Sequence, residues 1–80
     1  MSKKSKLKKA IADSESTIKA LEEKRARSQS ALMTAMIKKE MPNPQDEEFF
    51  RVFSVLIDNE REHLQQLIRE LKELTGKDEI

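Results

Sequence analysis

Cysteine, tryptophan and tyrosine are absent from this chain of 80 residues, which contains one glycine and two prolines. Without cysteine there are no disulfides, no thiolate zinc sites and no cysteine nucleophile. The composition, with 39% charged and 36% hydrophobic residues, is typical of long helices rather than of a sheet protein. A chain of this size forms one small domain with a marginal hydrophobic core.

Long hydrophobic segments are also lacking. No run approaches the roughly 20 apolar residues that cross a bilayer, and the start, Met-Ser-Lys-Lys-Ser-Lys, has no apolar stretch of a secretory signal. These absences predict a soluble cytoplasmic protein with no membrane partner. With a single histidine, no glycine-rich loop and no predicted strand, we expect no catalytic residues, no cofactor and no enzymatic activity.

A heptad repeat in the second half of the chain is the most informative pattern. Its a and d positions hold Phe50, Phe53, Ile57, Leu64, Leu67, Leu71 and Leu74, with Glu60 as the one break. An apolar stripe of this kind predicts a coiled-coil-like helix that must pack against another helix.

One segment, Met41-Pro42-Asn43-Pro44, separates two helical patterns. Pro42 is expected to end the first helix, Asn43 to cap the second, and Pro44 to occupy its first turn. We predict a flexible basic tail (1–5), helices over about 6–41 and 44–75, a turn at 42–43, Gly76 just past the helix end, and an acidic tail (77–80). Residues 6–76 would then form an all-α, antiparallel two-helix hairpin.

Charge and side-chain size suggest how the two helices pair. Residues 1–40 carry 11 Lys/Arg against 5 Asp/Glu, a net charge of +6, whereas residues 41–80 carry 5 against 10, a net charge of −5. If the numbers of facing residues add to about 85, small side chains face large ones. The predicted pairs include Ser14 with Leu71, Ser28 with Ile57, Ile18 with Leu67, and Leu21 with Leu64. Arg25 then faces Glu60, and we predict that this polar pair fixes the register.

The second helix carries more apolar residues than one partner helix can cover. Outside the heptad positions it holds Phe49, Val52, Val55, Leu56 and Ile68. We therefore expect an uncovered apolar surface near the turn, of the kind that marks a protein interface. Its predicted contact residues are Met36, Phe49, Val52, Phe53 and Leu56. Self-association into a four-helix bundle, or docking on another protein, would complete the core.

Two alternative functions come from other residue groups. The lysines near the start could contact nucleic acid phosphates in a homodimeric bundle, although the acidic second half and the lack of interleaved aromatics disfavour this. These residues are Lys3, Lys4, Lys6, Lys8 and Lys9. Glu60 and His63 have the Glu-x-x-His spacing of helical metal sites, to which Glu22 or Glu23 would add a carboxylate. The simpler interpretation is that Glu60 pairs with Arg25 while His63 is solvated, so no metal site is predicted.

The two-helix pattern, the brief polar loop and the following segment Gln45-Asp46-Glu47-Glu48-Phe49-Phe50-Arg51-Val52-Phe53 resemble a known family. The chain is similar to the small helical-hairpin co-chaperones of type III secretion needle subunits. The resemblance implies a cytosolic hairpin that pairs with a tetratricopeptide-type chaperone and helps to keep a needle subunit unpolymerised. The lysine-rich start and the strict heptad depart from the family pattern, and no functional residue is carried over. We therefore expect a small chaperone or adaptor.

Overall fold

Two helices account for nearly all of the chain that the structure describes. The structure, a computed structural model, describes residues 2–78 and contains helix α1, Lys3–Ile37, and helix α2, Pro44–Asp78. No strand occurs within these residues. The helices pack against each other in an elongated molecule of 61 × 19 × 16 Å. The predicted all-α helical hairpin is confirmed.

Helix α1 begins earlier than the sequence predicts. The Ser2 side chain accepts a hydrogen bond from the backbone N–H of Ser5 at 3.1 Å, which satisfies one of the N–H groups that a helix start leaves without a partner. This cap holds the first turn even though lysines there oppose the helix dipole. Residues 3–5 are therefore helical, and the prediction of a flexible tail is wrong for them. Met1 lies outside the described residues.

Helix α1 also ends four residues earlier than predicted, at Ile37 rather than at Met41. Lys39 has φ 58°, a left-handed conformation that usually calls for glycine. Its N–H donates to the Met36 carbonyl at 3.1 Å, and the Glu40 N–H donates to the Ala35 carbonyl at 2.9 Å. This pair of bonds is a Schellman motif, which closes the helix with a lysine in the position normally held by glycine.

Helix α2 begins where the sequence predicts and continues further than expected. The Asn43 Oδ1 accepts a hydrogen bond from the Gln45 N–H at 2.9 Å, so Asn43 caps the helix and Pro44 is its first residue. The helix runs through Gly76 to Asp78, and Gly76 does not have a positive φ. The prediction that Gly76 lies past the helix end is therefore wrong. Of the predicted acidic tail, residues 77–78 are helical and residues 79–80 lie outside the described part.

The observed register differs from the predicted one in a consistent direction. The Ser14 Oγ donates to Glu60 Oε2 at 2.8 Å, whereas Glu60 was predicted to face Arg25. Leu64 shares a groove with Ile18 rather than facing Leu21. Residues of α2 thus meet α1 residues with lower numbers than predicted. The early end of α1 acts in this direction, because a connection that starts four residues sooner brings lower-numbered α1 residues opposite α2. It accounts for part of the change, since Ser14 lies eleven residues before the predicted partner Arg25.

The core of the hairpin is thin. The buried residues are Leu7, Ile18, Ile57 and Leu67, together with the small polar residues Ser14 and Ser28. The radius of gyration is 18.1 Å, against about 12 Å for a compact domain of this length. The accessible surface is 6439 Å², against about 5,000 Å² for a compact monomer of this mass. More surface therefore stays in water than a compact domain would leave exposed.

Candidate protein-interaction surface

Four apolar residues near the turn form a continuous surface on α2, called here the apolar face: Phe49, Val52, Phe53 and Leu56. Their spacing of three, four and seven places them on one side of the helix. Phe49, Val52 and Leu56 are 43%, 41% and 42% exposed, and Phe53 is half-buried. The Phe49 and Phe53 rings stack with centroids 6.0 Å apart. The structure thus brings together four of the five contact residues predicted from the sequence.

Two residues of the apolar face, Phe49 and Phe53, line a groove between the helices, called here the aromatic groove. Its lining is Phe49, Phe53 and Asp46 from α2 and Lys24, Arg27 and Ser28 from α1, around a volume of about 410 Å³. Ser28 is buried and lies where a larger side chain would fill the space. A small residue at this position therefore helps to create the groove.

Met36, the fifth predicted contact residue, lies elsewhere. It is 76% exposed and lines a second groove of about 440 Å³ together with Leu32, Lys39, Glu40, Pro42 and Glu47. Phe49 and Phe53 are not among the residues that line it. Met36 lies in the last turn of α1, which ends at Ile37. Met36 is exposed as predicted, but it does not share a groove with the apolar face.

A further groove, of about 570 Å³, has a different chemical character. Most of its lining is charged, and the residues are Glu15, Ile18, Lys19, Glu22, Glu23, Ala26, Arg61 and Leu64. An ion pair of 3.7 Å between Arg61 and Glu22 crosses between the helices here. This groove is larger than the aromatic groove, but its charges are already partly matched within the chain. Its exposed lining is nevertheless largely apolar, so what distinguishes it from the aromatic groove is the absence of aromatic side chains among its lining residues and the ion pair that crosses it.

A polar cluster lies in the middle of the hairpin, where the heptad repeat is interrupted. Glu60 Oε2 accepts hydrogen bonds from the Ser14 Oγ at 2.8 Å and from the His63 Nδ1–H at 2.7 Å. The His63 hydrogen bond, followed by the Ser14 hydrogen bond, lowers the pKa of the Glu60 carboxyl from its ordinary value of 4.5, and desolvation partly opposes them. The predicted Arg25–Glu60 pair is not formed, and Ser14 supplies the contact across the helices instead.

The Glu60-x-x-His63 spacing does not extend to a metal site in the structure. Within residues 2–78, no three His, Asp or Glu side chains are arranged to hold a metal ion. Glu22, which was considered as a further ligand, pairs with Arg61 instead. Asp13 lines the same groove as Glu60 and His63, but the Glu60 carboxylate is occupied by its two hydrogen bonds.

The lysines at the start of α1 are exposed except for Lys4, which is half-buried. Lys3 lines a groove with Glu70, Glu73 and Leu74, so the basic beginning of α1 lies beside the acidic end of α2, as the charge pattern predicts. Neither of the two described helices is apolar over a length that would cross a membrane.

Sequence reasoning missed Lys24 and Arg27 as part of the candidate surface. Their spacing of three, with Ser28 next, places them on one face of α1 and is visible in the sequence. What the sequence did not show was the register, which decides that this face lies across from Phe49 and Phe53.

No protein-family model, curated protein or solved structure matches this chain.

Proposed function

We propose that this hairpin is a non-enzymatic protein-interaction module, a small chaperone or adaptor that binds a protein partner through the apolar face of α2 near the turn. The observation that carries the proposal is the exposure of Phe49, Val52 and Leu56 side by side on one helix face. Contiguous apolar surface of this kind is typical of interfaces, whereas single exposed apolar residues are common on any protein.

The energetics of burial support this interpretation. Covering the remaining exposed part of a Phe, Val or Leu side chain contributes about 1 kcal/mol each, because full burial contributes about 1.5–3 kcal/mol. The described chain exposes more than about 1,000 Å² beyond the surface of a compact monomer. A specific interface covers about 800 Å² on each partner. One partner helix, or a pair of helices in a bundle, is enough to cover this surplus.

The resemblance to the needle-subunit co-chaperones suggests a narrower form of the same proposal. In that form, the hairpin is a cytosolic co-chaperone that pairs with a tetratricopeptide-type chaperone. Helix-in-groove docking would be the mode of recognition in either form, because a hairpin with an open apolar groove suits a partner helix.

The experiment compares partner capture by the wild-type chain and by two variants of similar chemistry. Leu56→Glu places a charge in the apolar face, whereas Met33→Glu places one at a comparably exposed apolar residue of α1 outside that face. Each chain is expressed in the native host, and copurifying proteins are quantified by mass spectrometry. Sedimentation velocity on the pure chains then measures self-association.

The proposal expects the wild-type chain to capture a stoichiometric partner or to form a defined oligomer. Leu56→Glu is expected to weaken this association by about tenfold or more, and Met33→Glu is expected to leave it unchanged. Circular dichroism of both variants must show the helix content of the wild type. The proposal is contradicted if the wild-type chain is monomeric and captures no protein. It is also contradicted if a partner binds the Leu56→Glu variant as tightly as the wild type.

A further inference from the structure

The two walls of the aromatic groove differ in chemistry. The α2 wall is mostly apolar and holds Phe49 and Phe53 beside one carboxylate, Asp46, with Val52 and Leu56 continuing the apolar face. The α1 wall is cationic and holds Lys24 and Arg27. Buried Ser28 lies between the walls. An occupant of this groove therefore meets apolar side chains along one edge and positive charge along the other.

The two cations of the α1 wall have no ion-pair partner within the described residues. The salt bridges found there join Arg51 to Glu48, Arg61 to Glu22, and His63 to Glu60. Asp46 lines the aromatic groove but forms none with Lys24 or Arg27. Arg51 and Arg61 each find a carboxylate, whereas Lys24 and Arg27 do not within the part of the chain that the structure describes. Two cations against the single carboxylate of Asp46 leave the groove with positive charge that a partner can neutralise.

The dimensions of the groove suit a helix. The apolar face runs over residues 49–56, a rise of about 10 Å, and its apolar residues recur at the helical spacing that a partner helix reads as anchors. The groove lies between two antiparallel helices, where a third helix can pack as in a bundle. A partner helix of about two turns spans the apolar face.

We infer that the occupant of the aromatic groove is an amphipathic helix that carries Asp or Glu along the edge facing Lys24 and Arg27. This inference rests on the proposed function and specifies its partner. A second copy of the chain fits less well, because a two-fold interface brings the same surface from both copies. A two-fold interface centred on the groove would then contain four cations, Lys24 and Arg27 of each copy, against two groove carboxylates, Asp46 of each copy, and this excess of positive charge opposes association.

The experiment selects binders from a displayed library of helical peptides of about 18 residues. The library varies the apolar anchors and, independently, offers Glu, Gln or Lys at the two edges of the apolar stripe. The intact wild-type chain is the bait. The inference expects the selected peptides to be enriched in Glu along one edge, and expects their affinity to fall with added salt.

Reversing the charges of Lys24 and Arg27 tests whether the α1 wall contacts the acidic edge of the peptide. The double variant Lys24→Glu/Arg27→Glu is expected to bind a selected Glu-edged peptide about tenfold or more weakly than the wild type does. It is expected to bind the same peptide with Lys at that edge more tightly. The control, Lys6→Glu/Lys9→Glu, makes the same change in net charge on α1 outside the groove and is expected to have little effect. Lys24→Gln/Arg27→Gln removes the charges without adding repulsion within α1, and is expected to weaken the Glu-edged peptide if the reversed variant does not fold.

The outcomes separate this inference from the proposed function. Selected peptides that lose binding with Leu56→Glu but show no preference for Glu overturn the inference and leave the proposed function standing. A chain that selects no peptide but self-associates through Leu56 also overturns the inference, because a second copy is then the occupant. A chain that neither selects a peptide nor associates with any protein overturns both.

Discussion

The two ends of the hairpin cover their apolar side chains to very different extents. Toward the open end, where the chain begins and α2 finishes, Leu7, Ile18 and Leu67 are buried between the helices. Toward the turn, large apolar residues are exposed from Met33 through Leu56. Helix α1 buries Leu7 and Ile18 toward the open end, whereas its large residues near the turn, such as Met33, Met36 and Ile37, are exposed. The turn end therefore leaves more apolar surface exposed than the open end, although it also contains Ile57, which is fully buried.

The largest expected effect is a difference in the free energy of unfolding between variants of two adjacent residues, Ile57 and Leu56. Ile57 is fully buried, at 0% exposure, whereas Leu56 is 42% exposed. Ile57→Ala is expected to lower the free energy of unfolding by about 2–5 kcal/mol through lost burial and a cavity. Leu56→Ala is expected to lower it by less than about 1 kcal/mol, because little buried contact is lost. Urea denaturation followed by circular dichroism measures both.

The milder variant Ile57→Val keeps this test informative if Ile57→Ala does not fold, and is expected to cost about 1 kcal/mol. Equal losses for Ile57→Ala and Leu56→Ala would show that the apolar face is covered in solution by a further contact within the chain or between copies. The comparison between a buried seam and an exposed face would then fail.

A smaller effect is expected where the two halves meet, at the Ser14–Glu60–His63 cluster. Because the pKa of folded Glu60 lies below its ordinary value of 4.5, the ionised carboxylate stabilises the fold at neutral pH. This contribution is lost as the pH falls below 4.5 and through the folded pKa. Glu60→Gln is expected to cost about 1 kcal/mol at neutral pH and to flatten the acid dependence of stability.

The measurement is the free energy of unfolding at several pH values between 7 and about 3. Glu62→Gln, an exposed neighbour, serves as the control and is expected to keep the wild-type acid dependence. If Glu60→Gln and Glu62→Gln behave alike, the hydrogen bonds of Glu60 contribute nothing to stability.

A substitution in the turn, Lys39→Gly, is expected to increase the stability of the hairpin. Lys39 has φ 58°, which costs an L-residue with a side chain about 1 kcal/mol relative to glycine. Lys39→Gly is therefore expected to raise the free energy of unfolding by about 0.5–1 kcal/mol, as measured by thermal or urea denaturation. Lys38, at φ −79°, is the control, and Lys38→Gly is expected to destabilise the hairpin. A loss of stability with Lys39→Gly would contradict the left-handed turn.

The smallest effect is expected near the end of α2. Gly76 lies inside the helix without a positive φ, and an added Cβ meets nothing within 4 Å. Gly76→Ala is expected to stabilise the hairpin by a few tenths of a kcal/mol, since alanine has the higher helix propensity and the gain is reduced near a helix end. Helix content and melting temperature report the change. A destabilised variant would support a helix that ends at Gly76.

The sequence allowed the hairpin, the start of α2 and the exposed apolar face to be predicted. Pro42, Asn43 and Pro44 are strong local signals, and the heptad fixes which side of α2 packs on α1. The end of α1 could not be predicted in the same way, because Lys39 adopts a conformation for which the sequence carries no glycine signal. The predicted register and the predicted Arg25–Glu60 pair were wrong as well, since both depended on where the connection begins.

The groove that Met36 lines was also not predicted, because it depends on how the two helices are paired. Pairing rules based on size and charge allow several registers that differ by one helical turn, because each keeps the apolar stripes facing each other. Only the length of the connection distinguishes these registers. The cationic wall of the aromatic groove became visible once the structure had fixed that length.

The thin core has a consequence for how long an unbound copy of the chain survives. A hairpin with so few buried side chains has little stability to lose before unfolding becomes frequent. A partner present at about 100 times its dissociation constant adds about 2.7 kcal/mol to the folded state, and this is a large share of the total for so small a domain. Proteases act on the transiently opened population, which this coupling reduces about a hundredfold. The abundance of the hairpin in a cell would then follow the abundance of its partner.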